Sequence, residues 1–251
     1  MTTTAQEPAA RSSVPSVERL RVKVFADGAN LESMLGLYRD PRISGFTTNP
    51  TLMRNAGIVD YRAFAHEVLA AIPDRSISFE VFSDELDEME RQAREIASWG
   101  EQVYVKIPVS NTRGESTGPL IRDLTRAGVK VNVTALMTLA QVRDVAASLA
   151  GGAPSYVSVF AGRVADTGRD PVPLMSAAVE LMKPFPNQEL IWASPRELLN
   201  IFQADAIGCH VITVTNDVLK KLELVGKDLN EYSLDTVKMF YNDAKAAGFT
   251  L

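Results

Sequence analysis

The sequence predicts a single (β/α)₈ TIM barrel, an α/β fold, followed by an extra C-terminal helix. Three observations support this prediction. The chain has 251 residues, close to the roughly 250 residues typical of the fold. From residue 21 onward, short apolar runs alternate with longer segments of helical period, as in repeated βα units. The alternative is an open, doubly wound sheet, but no GxGxxG or Walker loop occurs to support it.

The predicted strands are eight short apolar runs, each followed by a helix-like stretch. They span residues 22–26, 43–46, 77–81, 103–107, 129–133, 156–160, 190–193 and 211–214. Helix starts are predicted where a capping residue precedes proline or pairs with Gln or Glu three residues later. These signals are Asn49-Pro50, Thr138 with Gln141, Asp170-Pro171, and Ser194-Pro195 with Glu197.

The two ends of the chain lie outside the repeat. Residues 1–20 are rich in Ala, Ser, Thr and Pro and have few large apolar side chains, which predicts a flexible N-terminal tail. Residues 21–251 are predicted to form the barrel domain together with the C-terminal helix. That helix, within residues 233–249, either covers its own barrel or reaches a neighbouring subunit.

Composition excludes several function classes. The net charge of −5 argues against a nucleic-acid-binding surface, which needs clustered Lys and Arg. The single cysteine, Cys209, excludes an internal disulfide, and two histidines, His66 and His210, are too few for a metal site built on several His ligands. No apolar run approaches the roughly 18 residues of a membrane span. The first twenty residues lack the apolar core of a signal peptide, so we expect a cytoplasmic protein.

Polar residues at the ends of the predicted strands are the candidate site. In a (β/α)₈ barrel the active site lies at the C-terminal ends of the strands. The polar residues there are Asp27, Asn30, Thr47, Thr48, Asn49, Glu80, Lys106, Asn132, Thr134, Ser158, Arg163, Ser194, Arg196, Thr213 and Thr215. They would bring carboxylates, an amine and two guanidinium groups to one mouth.

Lys106 carries the most information, because it lies inside the apolar strand VYVKIP. Parallel barrel strands are covered on both faces, so a lysine there is costly unless it is used. Burial generally favours the neutral amine, and a neutral amine forms a Schiff base with a ketone or aldehyde. The alternative is a side chain that extends to the strand end and pairs with Glu80 or Asp27.

The two carboxylates also allow two interpretations each. Glu80 lies in the buried pattern SISFEVF, where it forms a structural ion pair with Lys106 or moves protons through a water during imine formation. Asp27 ends the first predicted strand, where it deprotonates a substrate hydroxyl or caps the following helix.

Arg163 and Arg196 follow the sixth and seventh predicted strands. Loops in this part of a barrel often bind phosphate, and arginine offers bidentate donors to it. Ser194-Pro195-Arg196 at a helix start would suit a sugar phosphate. Each arginine could instead form an ordinary surface ion pair.

Six linked motifs together resemble the transaldolases, and most closely the shorter group that also contains fructose-6-phosphate aldolase. They are GFTTNPTLM (45–53), FEVF with Glu80, YVKIP with Lys106, NVTAL (132–136), SVFAGRVADTG (158–168) and ASPRE (193–197). The resemblance covers the chain from about residue 22 to its end.

This resemblance implies a class I aldolase-type barrel that needs no metal and no organic cofactor. It gives Lys106 the role of the Schiff-base lysine and Asp27 that of the acid/base at the C4 hydroxyl. Glu80 and Thr134 match the pair that holds the catalytic water. It also implies the substrate-binding positions, which are Asn49, Asn132 and Ser158 for the dihydroxyacetone unit and Arg163, Ser194 and Arg196 for phosphate. Thr48, next to Asn49 at the same strand end, is a further predicted substrate-binding residue.

Two positions separate the subgroups of the family. Phe160 stands where transaldolases have Phe and fructose-6-phosphate aldolases have Tyr, and it would line the substrate site. Glu80 stands where those aldolases have Gln. Both residues favour transfer over simple cleavage.

The implied activity is transfer of dihydroxyacetone between sugar phosphates, as in the pentose phosphate pathway. The simplest pair is sedoheptulose 7-phosphate with glyceraldehyde 3-phosphate. A lyase that releases dihydroxyacetone, a transferase for another sugar phosphate, and a non-catalytic sugar-phosphate-binding barrel are the alternatives. The resemblance also implies a homo-oligomer. From the net charge and the lack of a long apolar run, we expect no nucleic acid or membrane partner.

Overall fold

A computed structural model describes residues 16–250 of the chain. The chain divides into two units. One contains residues 20–220, and the described residues of the other are 16–19 and 221–250, from the two ends of the chain. The predicted tail of residues 1–20 lies mostly outside the described residues. Its described part contains one 3₁₀ turn, Val17–Arg19.

Eight parallel strands of the larger unit close into a barrel in chain order, with the first strand paired to the last. The strands are β1 (Lys23–Asp27), β2 (Ile43–Thr47), β3 (Ser76–Glu80), β4 (Val103–Pro108), β5 (Val131–Leu136), β6 (Ser155–Val159), β7 (Gln188–Trp192) and β8 (Val211–Thr215). Each predicted apolar run overlaps one of these strands, so the predicted (β/α)₈ barrel is confirmed.

Helices connect successive strands. They are α1 (Leu31–Tyr38), α2 (Pro50–Asn55), α3 (Tyr61–Ala71), α4 (Leu86–Ala97), α5 (Gly118–Arg126), α6 (Leu139–Ser148), α7 (Ala161–Ala165), α8 (Pro171–Met182) and α9 (Leu199–Ala206), and a further helix, α10 (Asn216–Leu219), follows the last strand. Among residues 16–250, no helix combines the length and the apolar character needed to cross a bilayer.

Three of the predicted helix starts are confirmed. The side chains of Asn49, Thr138 and Asp170 each accept a hydrogen bond from a backbone N–H in the first turn of α2, α6 and α8. For α6 the Thr138 N–H also donates to the Gln141 side-chain oxygen, which completes a capping box.

The helix start predicted at Ser194 is wrong. Ser194 adopts a left-handed backbone conformation with φ of 60°, which turns the chain away from a helix at that point. Helix α9 begins five residues later, at Leu199. In between, the Asn200 side chain accepts hydrogen bonds from the N–H groups of Arg196 and Glu197, at 2.8 Å and 3.1 Å.

An aromatic layer fills the barrel below its C-terminal mouth. Phe25 and Tyr156 pack edge to face at 5.6 Å, and Tyr104 lies 4.2 Å from Tyr156 between ring centroids. Because side chains alternate along a strand, residues two positions apart point the same way. These three rings therefore form the layer directly beneath Asp27, Lys106 and Ser158.

The second unit contains helix α11 (Leu229–Ala246), which matches the predicted C-terminal helix. Asp228 caps it, and Lys227 pairs with Asp235 at 2.5 Å. None of its residues is buried. Its exposed apolar side chains are Leu229, Tyr232, Leu234, Val237, Met239, Phe240 and Tyr241. Which of its two predicted roles this helix has stays a prediction.

Two helical glycines give a matched test of packing at the mouth. A Cβ atom on Gly162 in α7 would overlap the carbonyl oxygen of Ser194, whereas one on Gly36 in α1 would meet nothing within 4 Å. We expect Gly162→Ala to lower the free energy of unfolding, because backbone must move. Gly36→Ala should raise it by about 0.5–1 kcal/mol, the usual gain of Ala over Gly in a helix. Urea unfolding of both variants measures this, and a neutral Gly162→Ala would contradict the packing described.

Candidate active site

A cavity of about 420 Å³ opens at the C-terminal mouth of the barrel. Its volume lies within the range of small-molecule sites. It brings together ten of the twelve residues that the sequence predicts to be catalytic or substrate-binding. These are Asp27, Asn49, Glu80, Lys106, Thr134, Ser158, Phe160, Arg163, Ser194 and Arg196.

Lys106 lies at the base of this cavity with 6% of its surface exposed. Its Nζ donates to the backbone oxygen of Thr48 at 2.8 Å and lies 3.1 Å from the Glu80 carboxylate. Strand register explains the ion pair, because Glu80 on β3 is the direct partner of Lys106 on β4. The amine is therefore desolvated, held by two acceptors, and still accessible from the cavity.

Asp27 forms a second acidic position on β1. The Thr47 hydroxyl donates to its carboxylate at 2.8 Å, and the Thr213 hydroxyl lies 2.5 Å from that of Thr47. Burial raises the pKa of Asp27 above its usual range, although the charge of Lys106 and the Thr47 hydrogen bond act in the opposite direction. A carboxyl group of this kind suits proton transfer near neutral pH.

Thr134 contributes a hydroxyl that has no hydrogen-bond partner among residues 16–250, although it is buried. It lies on β5 immediately before Ala135, whose φ of 66° is left-handed. Pairing of β5 with β6 is interrupted at this point, between Val133 and Leu136. The bend places both Thr134 and Ala135 in the cavity wall.

Two arginines mark the other side of the mouth. The Arg196 guanidinium makes two hydrogen bonds to Asp166, one of them from Nε at 2.8 Å, and this contact lowers the pKa of Asp166. The Arg163 guanidinium lies over the Phe160 ring, 5.7 Å from its centroid. The two cations and the Ser194 turn line one cavity, as expected of a phosphate site.

Two sequence-predicted residues lie beneath the cavity rather than in its wall. Thr48 and Asn132 are fully buried. The Thr48 hydroxyl donates to the Ser78 carbonyl, so this residue meets Lys106 through its backbone. The Asn132 side chain donates to Ser78 and accepts from Ser158, which does line the cavity. Asn49 lines the cavity while its Oδ1 caps α2.

Sequence analysis gives no role to three residues that support this site. Thr47 and Thr213 were visible as polar strand ends, but their link to Asp27 depends on the closure of β8 against β1. Asp166 lies inside the motif SVFAGRVADTG, yet only the folded chain shows that it pairs with Arg196.

A family model described as Transaldolase/Fructose-6-phosphate aldolase matches residues 24–251. The chain belongs to this family. A probable transaldolase of Dehalococcoides mccartyi is 35% identical over 202 residues, which is 80% of this chain and 90% of that protein. A probable transaldolase of Thermoanaerobacter sp. is 31% identical over 231 residues, which is 92% of this chain and all of that protein.

Solved structures agree on the fold. A dihydrodipicolinate synthase from Rhodopseudomonas palustris superposes with a TM-score of 0.56 at 15% identity, covering 88% of this chain and 80% of that one. At this identity the likeness extends to the barrel alone. Membership of the transaldolase family therefore rests on the sequence match, which spans every strand-end residue described above.

The arrangement of these groups is suited to carbonyl chemistry. A desolvated amine lies beside one carboxylate, and a second carboxyl group with a raised pKa stands nearby. The Thr134 hydroxyl, which has no partner within the described part of the chain, faces the same space. An amine in this setting can add to a carbonyl, while the acids move the protons that addition and dehydration require.

The pKa of Asp27 gives a stability test. Because its pKa is raised in the folded protein, the folded state holds this proton more tightly, and stability falls as the pH rises through the raised value. We expect Asp27→Asn, which keeps an acceptor for Thr47, to be more stable than the wild type at about pH 7.5. The gain should shrink on acidification. Thermal unfolding across this pH range measures the effect.

Asp166→Asn is the matched control, because Arg196 lowers the pKa of Asp166 and the sign is reversed. The ionised Asp166 carboxylate favours folding above its unfolded pKa, so its removal should give no gain at neutral pH. Equal stabilisation by both variants would contradict the assignment of Asp27 as a desolvated acid.

Proposed function

We propose that this chain is a transaldolase that transfers a dihydroxyacetone unit between sugar phosphates through a Schiff base on Lys106. The simplest reaction converts sedoheptulose 7-phosphate and glyceraldehyde 3-phosphate to erythrose 4-phosphate and fructose 6-phosphate, as in the pentose phosphate pathway. The observation that carries the proposal is the Lys106 amine, buried at the cavity base between Glu80 and the Thr48 carbonyl. The cytoplasmic location expected from the sequence stays a prediction.

In the proposed first half-reaction, the Lys106 amine attacks the C2 carbonyl of the ketose phosphate. The carbinolamine loses water to give the iminium ion. Glu80 and Thr134 hold a water molecule, through which Glu80 transfers the protons that this step requires. Asp27 then takes the C4 hydroxyl proton, the C3–C4 bond breaks, and an aldose phosphate leaves. The electron pair of the broken C3–C4 bond moves into the iminium group, which becomes a three-carbon enamine bound to Lys106.

In the second half-reaction, the enamine carbon attacks the aldehyde of an acceptor phosphate. Asp27 returns the proton to the new hydroxyl group, and water hydrolyses the iminium to release the product ketose. The unpartnered Thr134 hydroxyl supports this role, because a buried hydroxyl facing a cavity is a hydrogen-bonding position for water. Arg163 and Arg196 would hold the phosphate throughout.

Glu80 and Phe160 support transfer over cleavage, since both are the transaldolase residues at positions where the subgroups differ. The fructose-6-phosphate-aldolase-type lyase and a transaldolase for another sugar phosphate remain the alternatives. A panel of donors and acceptors with the purified protein distinguishes them. Dihydroxyacetone as the main product would favour the lyase.

Borohydride trapping tests the covalent step. We expect incubation with fructose 6-phosphate and borohydride to add one reduced three-carbon or six-carbon adduct to Lys106, located by peptide mass spectrometry. Lys106→Met, which keeps an unbranched apolar chain, should form no adduct and should lose at least about 1,000-fold in turnover. A folded wild-type protein that forms no adduct would overturn both catalytic alternatives and leave a sugar-phosphate-binding barrel.

Removal of Arg196 tests the phosphate site. Arg196→Ala should raise KM for phosphorylated donors by about 10- to 100-fold, because it removes a charged hydrogen-bond donor and leaves the Asp166 carboxylate unpaired beside the phosphate. Arg122→Ala, on the surface of α5, is the control. Steady-state kinetics with fructose 6-phosphate and with unphosphorylated fructose check this. An equal loss with both sugars would remove Arg196 from the phosphate site.

We also propose that the chain forms a homo-oligomer through helix α11. Val237, Phe240 and Tyr241 form part of an exposed apolar stripe on this 18-residue helix, and such patches mark contact surfaces. Light scattering after size exclusion should give a multiple of 27.4 kDa for the wild type. Phe240→Asp should shift the mass downward and Asn242→Asp should not. A monomeric wild type would contradict this.

A further inference from the structure

Glu80 is the last residue of β3, and only one of the two neighbouring strands, β4, pairs with it. On one side β4 continues in register, and Val81 donates its backbone N–H to the Lys106 carbonyl at 3.0 Å. On the other side β2 stops pairing at Thr47 opposite Ser78, and one further bond runs from Thr48 to the Ser78 carbonyl at 3.1 Å. The chain then turns away into α2. The backbone N–H and C=O of Glu80 that face β2 therefore have no strand to bond.

The hydroxyl of Tyr61 takes the place of the missing strand. Its Oη accepts a hydrogen bond from the Glu80 N–H at 2.7 Å and donates one to the Glu80 carbonyl at 2.8 Å. One side chain thus satisfies both backbone groups, which would otherwise be unpaired. Burial raises the pKa of Tyr61, so the hydroxyl keeps the proton that it donates.

Several contacts fix the position of Tyr61. Tyr61 is the first residue of α3, and the N-cap Asp60 fixes the start of that helix. Phe79, Phe82 and Trp99 surround the ring, with centroid distances of 6.2 Å, 5.3 Å and 5.8 Å. Contacts of this geometry favour one ring orientation. The hydroxyl is therefore held in place, and its two hydrogen bonds fix the position of Glu80 at the end of β3.

We propose that Tyr61 is a positioning residue that holds Glu80 so that its carboxylate meets the Lys106 amine. This inference rests on the proposed function, in which Glu80 manages protons for the Schiff base. The Tyr61 hydroxyl bonds the Glu80 backbone and also meets the Thr48 side chain, and neither Tyr61 nor Thr48 lines the cavity. Its main effect on chemistry therefore passes through the position of Glu80. Loss of the hydroxyl should therefore change the steps that depend on Glu80 and leave sugar-phosphate binding nearly unchanged.

Tyr61→Phe removes the hydroxyl and keeps the ring. We expect kcat to fall by about 10- to 100-fold, because a general acid/base contributes roughly 100- to 10,000-fold and Tyr61→Phe displaces Glu80 without removing it. KM for the ketose phosphate should change less than about threefold. In a Glu80→Gln background the same substitution should cost less than about twofold, because the group it positions is already disabled. Tyr38→Phe, which removes a surface hydrogen bond to Asp74, is the control and should leave kcat unchanged.

Amide hydrogen exchange at Glu80 adds a readout that needs no activity. The Glu80 N–H should exchange slowly in the wild type and at least about tenfold faster in Tyr61→Phe. If the wild type proves to have no transaldolase activity, the proposed function fails, while this measurement still tests the hydrogen bond. Fast exchange in the wild type would overturn the inference even if the enzyme is active.

A second variant covers the case in which Tyr61→Phe does not fold. Phe82→Leu removes one ring contact, and Phe82 is 61% exposed, so the barrel should tolerate the change. A drop in kcat of about two- to fivefold that disappears in the Glu80→Gln background would support the inference. An unchanged kcat, a loss that persists without Glu80, or an effect on KM alone would overturn it.

Discussion

The site depends on one interaction, the burial of the Lys106 amine against the Glu80 carboxylate and the Thr48 carbonyl. Removing a charged pair from water is costly, and the cost is offset only where the geometry is good and the remaining donors are satisfied. Here the strand register supplies that geometry, because neighbouring strands place the two side chains side by side. An aromatic layer lies directly below the pair. The amine is therefore approached from the cavity at the mouth, where a carbonyl compound can reach it.

The two acidic residues are made different by their surroundings. Glu80 is paired with Lys106, whereas Asp27 has mainly the hydroxyl of Thr47 as its partner. Burial raises the pKa of Asp27, and the Thr47 hydrogen bond and the Lys106 charge offset only part of that effect. Two carboxyl groups with different environments can carry out different proton transfers in one cycle. The threonine pair that supports Asp27 exists only because β8 closes against β1, so closure of the barrel also sets the chemistry of its first strand.

The barrel itself was predictable, because eight apolar runs and their spacing determine which segments pair. Strand-end positions then pointed to Lys106, Glu80 and Asp27, and the structure places all three in one cavity. Features that depend on contacts between distant segments were not predictable. Ser194 looked like a helix cap from its neighbours, but its backbone turns against Gly162, about thirty residues earlier, where only a glycine fits. Tyr61 read as an ordinary helix residue, since nothing near it in the sequence indicates that its hydroxyl reaches β3.

Backbone strain is concentrated at the mouth. Of residues 16–250, only Ala135 and Ser194 adopt a left-handed conformation without being glycine, and both line the cavity. Each such residue costs on the order of 1–3 kcal/mol and persists where its surroundings determine it. Ala135 bends β5 immediately after Thr134, and Ser194 turns the chain immediately before Pro195 and Arg196. In both cases the strained residue interrupts a regular strand end next to a polar side chain. The hydroxyl of Thr134 and the guanidinium of Arg196 consequently line the same cavity as the Lys106 amine, on segments that no longer follow the regular strand or a helix start.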